Sequence, residues 1–187
     1  MRIEIISGSP REESVTYRVA LHLQRILVEK DYEAGIIDVR DHFLPQLDEV
    51  FTSVESAPPQ HKELAKRMFA ASAFILVSPE YNGSYSACLK NLIDHFPKQH
   101  HKAFAIATAS PGGLGGVRAA MHLQQYIFAM FGIGSPYMLV TPQVDKKFDP
   151  DGNLIDPSFA KAVDIFIKEF LWLVEKIAEP KKQSVTA

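Results

Sequence analysis

The sequence predicts an α/β fold, a parallel sheet with helices on both of its faces. Three observations carry this. Short apolar runs alternate with helical stripes along the chain. The run Ala73–Ser78 (A-F-I-L-V-S) is apolar on both sides, as a central parallel strand covered by helices must be. Loops rich in Gly, Ser and Pro follow the first, third and fourth runs, where parallel strands present ligands at their carboxyl ends.

The elements follow in order. Arg2–Ser7 reads as a buried strand closed by Gly8-Ser9-Pro10. Val15, Val19, Leu23, Ile26 and Leu27 recur at helical spacing and predict an amphipathic helix from about Ser14 to Lys30. Ala34–Val39 is the second apolar run. Arg40–Gln60, interrupted by Pro45, Pro58 and Pro59, reads as a long connection rather than a domain boundary. A helix follows to about Ala71, with Pro59 suited to its first turn. Leu89, Leu92, Ile93 and Phe96 mark the helix after Ala73–Ser78. Ala103–Ala109 is the fourth strand, Val117–Phe131 the next helix, and Gly134–Val140 the fifth strand. The stretch Tyr126–Phe131 is apolar nearly all round, which suits a subunit surface. Phe159, Val163, Phe166, Phe170, Val174 and Ile177 share one broad stripe of a long last helix. Residues 1–180 read as one domain and Lys181–Ala187 as a polar tail.

Composition excludes several classes. The chain has 187 residues, 47% hydrophobic and 22% charged, enough for one core. A net charge of −2 supplies no global field to hold nucleic acid or an anionic membrane. Cys88 is the only thiol, so no intrachain disulfide forms and nothing points to an oxidising compartment. Met1 leads straight into Ile3, Ile5 and Ile6, so no signal peptide is expected. No apolar run reaches the ~18 residues of a membrane span. A cytoplasmic location is expected. His100-His101 has no acidic or Cys partner at ligand spacing, so no metal site is expected either.

Three loops carry the chemistry. The first, Gly8–Thr16, offers the hydroxyls of Ser9, Ser14 and Thr16, the charged fork of Arg11 and the amides of a helix start, a set that suits a phosphate. It is neither a Walker loop nor a G-x-G-x-x-G turn. Glu12 and Glu13 would repel a phosphate unless they point to solvent. The second, Pro79–Ser86, places a Tyr, an Asn and a Gly on a strand-to-helix turn, an aromatic face with approachable backbone. Alone, each of these loops also reads as an ordinary capped turn. The third, Ala109–Ala119, has four glycines within five positions, more than a turn needs.

Together, G-S-P-R at Gly8–Arg11, P-E-Y-N at Pro79–Asn82 and G-G-V-R-A at Gly115–Ala119 resemble the NAD(P)H-dependent FMN reductases. L-K-N at Leu89–Asn91 and F-D-P-D-G-N at Phe148–Asn153 extend the likeness over nearly the whole chain. The resemblance implies a flavodoxin-like three-layer sandwich with a five-stranded parallel sheet in the order 2-1-3-4-5. It implies FMN as cofactor, NADPH or NADH as electron donor, and a small acceptor such as a quinone, azo compound, metal oxyanion or flavin. Ser9, Arg11, Ser14 and Thr16 would bind the FMN phosphate. Pro79, Glu80, Tyr81, Asn82 and Gly83 would border the ribityl chain and the ring, and Ser110, Gly112 and Gly113 the pyrimidine edge. A homodimer or homotetramer is implied too. No side chain is assigned a catalytic role, because the cofactor carries the chemistry.

Two departures stand out: Thr16 replaces a frequent Asn, and Ser86-Ala87 a frequent Pro-Gly. The rival readings are a flavodoxin-type electron carrier, for which the charge of −2 is a weak docking surface, and a flavin- or redox-sensing module without turnover. Two expectations concern the helix after the glycines. Its positive end should face the flavin's pyrimidine edge. Arg118, a cation in that first turn, should need a compensating carboxylate, with Glu80 the nearest by topology.

Overall fold

The computed structural model describes residues 1–178; the boundary at 180 and the tail Lys181–Ala187 lie outside them. In chain order the elements are β1 (Arg2–Ser7), α1 (Val15–Glu29), β2 (Glu33–Asp38), α2 (Lys62–Ala70), β3 (Ala73–Ser78), α3 (Ala87–Asp94), β4 (Ala103–Ser110), α4 (Val117–Ala129), β5 (Ile133–Gly134), β6 (Leu139–Pro142) and α5 (Ala160–Ala178). Parallel pairing runs β2-β1-β3-β4-β5, with β6 also on β4.

The side-chain alternation of the strands makes two cores. Ile3, Ile5, Ile75 and Val77 pack with Val19, Leu23 and Leu27 of α1 and Phe166 and Phe170 of α5. Ile6, Phe74 and Leu76 point the other way, onto α2, α3 and α4 through Leu64, Met68, Leu92, Leu123 and Ile127. This is the three-layer arrangement and strand order that the resemblance implies. The connection 40–58 holds no helix or strand, yet it buries Leu44, Phe51 and Ala57 in the second core.

The expected fifth strand, Gly134–Val140, is corrected to two pieces. Gly134 to Leu139 takes five steps where the paired residues of β4, Phe104 to Ala107, take three. The Ser135 amide still donates to the Phe104 carbonyl at 2.7 Å, and the surplus leaves the ladder after it, where Pro136 has no amide to donate. The break aims β6 alongside the last half of β4, next to the glycine loop.

A charge is buried in the middle of β1. Glu4 on β1 is fully buried and accepts from Arg2 Nε at 2.7 Å and Arg67 Nε at 3.1 Å. Gly35 on the neighbouring strand leaves room for it: a Cβ there would lie 2.7 Å from both the Glu4 carboxylate and the Arg67 guanidinium.

Candidate functional site

The loops after β1 and β3 and the end of β4 share a cavity of about 180 Å³. Ser9, Arg11, Ser14, Thr16, Pro79, Glu80, Tyr81 and Ser110 meet there. Asn82, Gly83, Gly112 and Gly113 do not line it. Glu13, expected to point to solvent, lines it too, as do Val15, Ala109 and Pro111, which the sequence did not single out. Their signal was only position: each adjoins a loop residue already singled out.

The first loop is stitched to its neighbours. The Gly8 amide donates to the Val77 carbonyl at 2.8 Å. A Cβ on Gly8 would lie 2.9 Å from Cβ of Leu89, so a bare backbone is required. Ser86 donates its hydroxyl to the Gly8 carbonyl and accepts from the Leu89 amide at 3.1 Å as N-cap of α3. The departure from Pro-Gly therefore has a function, since Ser86 both starts its helix and pins the first loop.

Within that loop Ser9 and Thr16 are buried. Ser14 caps α1 by accepting from the Tyr17 amide at 3.2 Å. The preceding amides of the first helical turn are the orphan donors that every helix start leaves, at the positive end of its dipole. Glu12 and Glu13 are exposed, so their carboxylates have solvent to face. The Arg11 guanidinium lies over the Tyr81 ring, 5.0 Å from its centroid, and so links the first loop to the second.

In the second loop Tyr81 and Ser84 exchange backbone hydrogen bonds of 2.9 and 3.1 Å around Asn82-Gly83. Both central residues have positive φ, +51° and +81°. Asn-Gly is the dipeptide best suited to such a turn, which accounts for both residues and holds them outside the cavity. The Tyr81 hydroxyl is buried with no hydrogen-bond partner among the described residues.

Glu80 reaches across to α4. Its carboxylate accepts from the amides of Arg118 at 3.0 Å and Ala119 at 3.3 Å, and the Arg118 guanidinium stands 3.7 Å away. This is the compensating carboxylate expected for Arg118. The same carboxylate occupies the positive end of α4 and takes two of its free amides. That end is not bare toward a ligand.

The glycine cluster divides in two. Gly115 and Gly116 have φ of +60° and +85°. A Cβ on Gly115 would lie 2.6 Å from the Pro142 amide nitrogen, and one on Gly116 2.9 Å from Cβ of Thr108. The turn demands both. Gly112 and Gly113 have no such constraint: a Cβ on Gly113 would meet nothing within 4 Å, and one on Gly112 only Ser110 Oγ at 3.7 Å. These two leave open backbone next to Pro111, the last lining residue of the cavity.

The residues present fit FMN. Buried hydroxyls, a guanidinium and a helix start suit its phosphate. The unpartnered Tyr81 hydroxyl and the open glycine backbone suit its polar chain and flat ring. Among the described residues no cluster of three or more His, Cys, Asp or Glu could hold a metal ion. His100 instead stacks on Phe131, with centroids 4.7 Å apart. No helix of the described residues is long and apolar enough to cross a membrane.

Comparison with known proteins agrees. Residues 1–144 match the family described as NADPH-dependent FMN reductase. An FMN-dependent NADPH-azoreductase of Staphylococcus aureus is 30% identical over 175 residues, covering 91% of this chain and 93% of that protein. The flavoenzyme NAD(P)H:(acceptor) oxidoreductase FerB of Paracoccus denitrificans superposes with a TM-score of 0.71 at 21% identity, over 94% of this chain and 97% of its own. A flavodoxin mutant of Pseudomonas aeruginosa superposes with a TM-score of 0.58 at 18% identity, over 91% and 99%. The chain therefore belongs to the NADPH-dependent FMN reductase family, as an NAD(P)H-dependent oxidoreductase that works with FMN.

Proposed function

We propose that FMN lies across the three loops, its phosphate among Ser9, Arg11, Ser14 and Thr16. Its ribityl chain runs along Pro79, Glu80 and Tyr81, with Asn82 and Gly83 at the rim. Its pyrimidine edge meets Ser110, Gly112 and Gly113. The observation that carries this reading is the single cavity that joins the buried hydroxyls and free helix start of the first loop to the Tyr81 wall.

When bound, FMN supplies the redox chemistry, taking a hydride from reduced nicotinamide and passing an electron pair to a second substrate. The protein's part is placement. The first loop neutralises phosphate charge, Tyr81 walls the ring, and the backbone at Gly112-Gly113 leaves it accessible to small reactants. A small acceptor follows, and the S. aureus relative makes NADPH with an azo compound the first pair to try. The single thiol suits a reducing compartment, and we place the enzyme in the cytoplasm.

A homodimer through α4 is part of the proposal, on a surface that keeps Phe128 of the Tyr126–Phe131 stretch but not its buried residues. Tyr126 turns inward, stacking on Tyr85 and donating to Asp94 at 2.7 Å, while Ile127 and Met130 are buried. Burial, helped by the Asp94 carboxylate, pushes the Tyr126 hydroxyl far above its ordinary pKa, so it stays a fixed donor. The exposed apolar stripe is Val117, Met121 and Phe128, which fall within one face of the helix, with Leu114 exposed in the loop just before it.

The test is anaerobic turnover with FMN-loaded protein, NADPH and an azo dye or quinone. Saturable NADPH oxidation that depends on both substrates is expected. Flavin that binds but never accepts electrons from NADPH or NADH would leave a carrier or sensor instead.

A further inference from the structure

Arg40 stands just past the end of β2, and none of its contacts is with the cavity. Asp38, the last residue of β2, is nearly buried and grips it: Arg40 Nε lies 3.0 and 3.1 Å from the two carboxylate oxygens, and its terminal nitrogen 2.6 Å from Oδ2. The guanidinium carbon sits 4.7 Å from the centroid of the Tyr17 ring on α1. The remaining terminal nitrogen donates to the Glu12 carbonyl at 2.7 Å. One side chain thus joins β2, α1 and the middle of the first loop.

That last contact has a geometric consequence. In a trans peptide the carbonyl of one residue and the amide of the next point in opposite directions. Holding the Glu12 carbonyl toward Arg40 turns the Glu13 amide away from it, and Glu13 lines the cavity. We infer that Arg40, held by Asp38, is a positioning residue that aims the Glu13 amide at the FMN phosphate. The inference rests on the reading that the first loop takes that phosphate. The charge of Arg40 is matched by Asp38, so its contribution is the shape of the loop rather than attraction at a distance. It also steadies a stretch with two adjacent carboxylates, Glu12 and Glu13, which a phosphate would otherwise push aside.

Riboflavin, which lacks the phosphate, separates this role from a structural one. The full chain, freed of flavin, is titrated with FMN and with riboflavin, following flavin fluorescence. Arg40→Lys keeps the charge, but a single ammonium cannot hold both Asp38 oxygens and reach Glu12 as the fork does. FMN affinity should fall about tenfold, the scale of one hydrogen bond to a charged group, with riboflavin affinity within about twofold of wild type. The double variant Asp38→Asn/Arg40→Met leaves no unpaired buried charge and should show the same selective loss. A preference for FMN over riboflavin that survives in both variants would overturn the inference. So would parallel losses for the two flavins, which would make Arg40 a brace of the whole fold. A wild-type chain with no preference for FMN would instead remove the phosphate cradle itself, and the role of Arg40 with it.

Discussion

At the amino end of the sheet, Glu4 is fully buried and its carboxylate is taken up by Arg2 and Arg67. At the carboxyl end, Asp38 and Glu80 also pair with arginines, but the pairs act on backbone. Arg40 holds the Glu12 carbonyl, and Glu80 caps the first amides of α4. The chemistry is the same, with opposite consequences. A carboxylate saturated by two guanidiniums closes one end of the sheet. Pairs with a donor or acceptor to spare organise loops and leave other groups free, which is what a binding edge requires.

The sharpest way to break this contrast is Arg67→Ala. It leaves a buried carboxylate short of its main partner, and stability should drop by about 3 kcal/mol. For a chain of this size that lowers Tm by about 6–12 °C. FMN affinity of the folded protein should not change. Flavin affinity lost in step with Tm would mean that the two ends are not separate.

A finer cut lies inside the glycine cluster. Gly115→Ala forces a side chain into positive φ against the Pro142 backbone and should cost about 2 kcal/mol of stability, read by thermal melting. Gly113→Ala should leave Tm within the scatter of surface substitutions, roughly 0.5 kcal/mol, yet weaken FMN binding by adding a methyl where the pyrimidine edge is proposed to lie. The reverse pattern would mean that the turn, not the ligand, requires Gly113.

These contrasts mark how far the sequence could be read. Buried parallel strands such as Ala73–Ser78 announce themselves as apolar runs, and the three loops stood out because hydroxyls and glycines cluster there. Glu4 did not, since its partner Arg67 is 63 residues away and a charge within a strand looks like a solvent-facing position. Arg40 was hidden for the same reason, as a charge in a long connection whose target, Glu12, is 28 residues earlier. The broken fifth strand read as continuous because the surplus residues include Tyr137 and Met138, which are apolar enough to pass for strand. Among the glycines, sequence could count but not divide, because only the neighbours of each Cα tell a forced turn from an open one.

The smallest expected effect is that of Arg118→Ala. Its side chain is largely exposed and its distance to Glu80 is 3.7 Å, so stability should change by less than about 1 kcal/mol. Flavin retention or assembly should weaken, while stopped-flow reduction of the flavin-saturated variant by NADPH stays near the wild-type rate. A large slowing at unchanged assembly would give Arg118 a direct part in the reaction.

The central claim is that the carboxyl edge of the sheet is where FMN binds. A rival exists on the surface: a groove between α1 and α5 of about 530 Å³, lined by Ile26, Leu171 and the half-exposed Trp172 among charged neighbours such as Lys30 and Asp164, is the roomier of the two. It offers no helix start and no glycine backbone, so the account gives it no flavin. Amide chemical shifts recorded while FMN is added to the isotope-labelled chain decide between them. The largest changes should fall on residues 9–16, 80–83 and 110–113, with those around Trp172 still. Changes centred on Ile26, Leu171 and Trp172, with the first loop unmoved, would contradict the account.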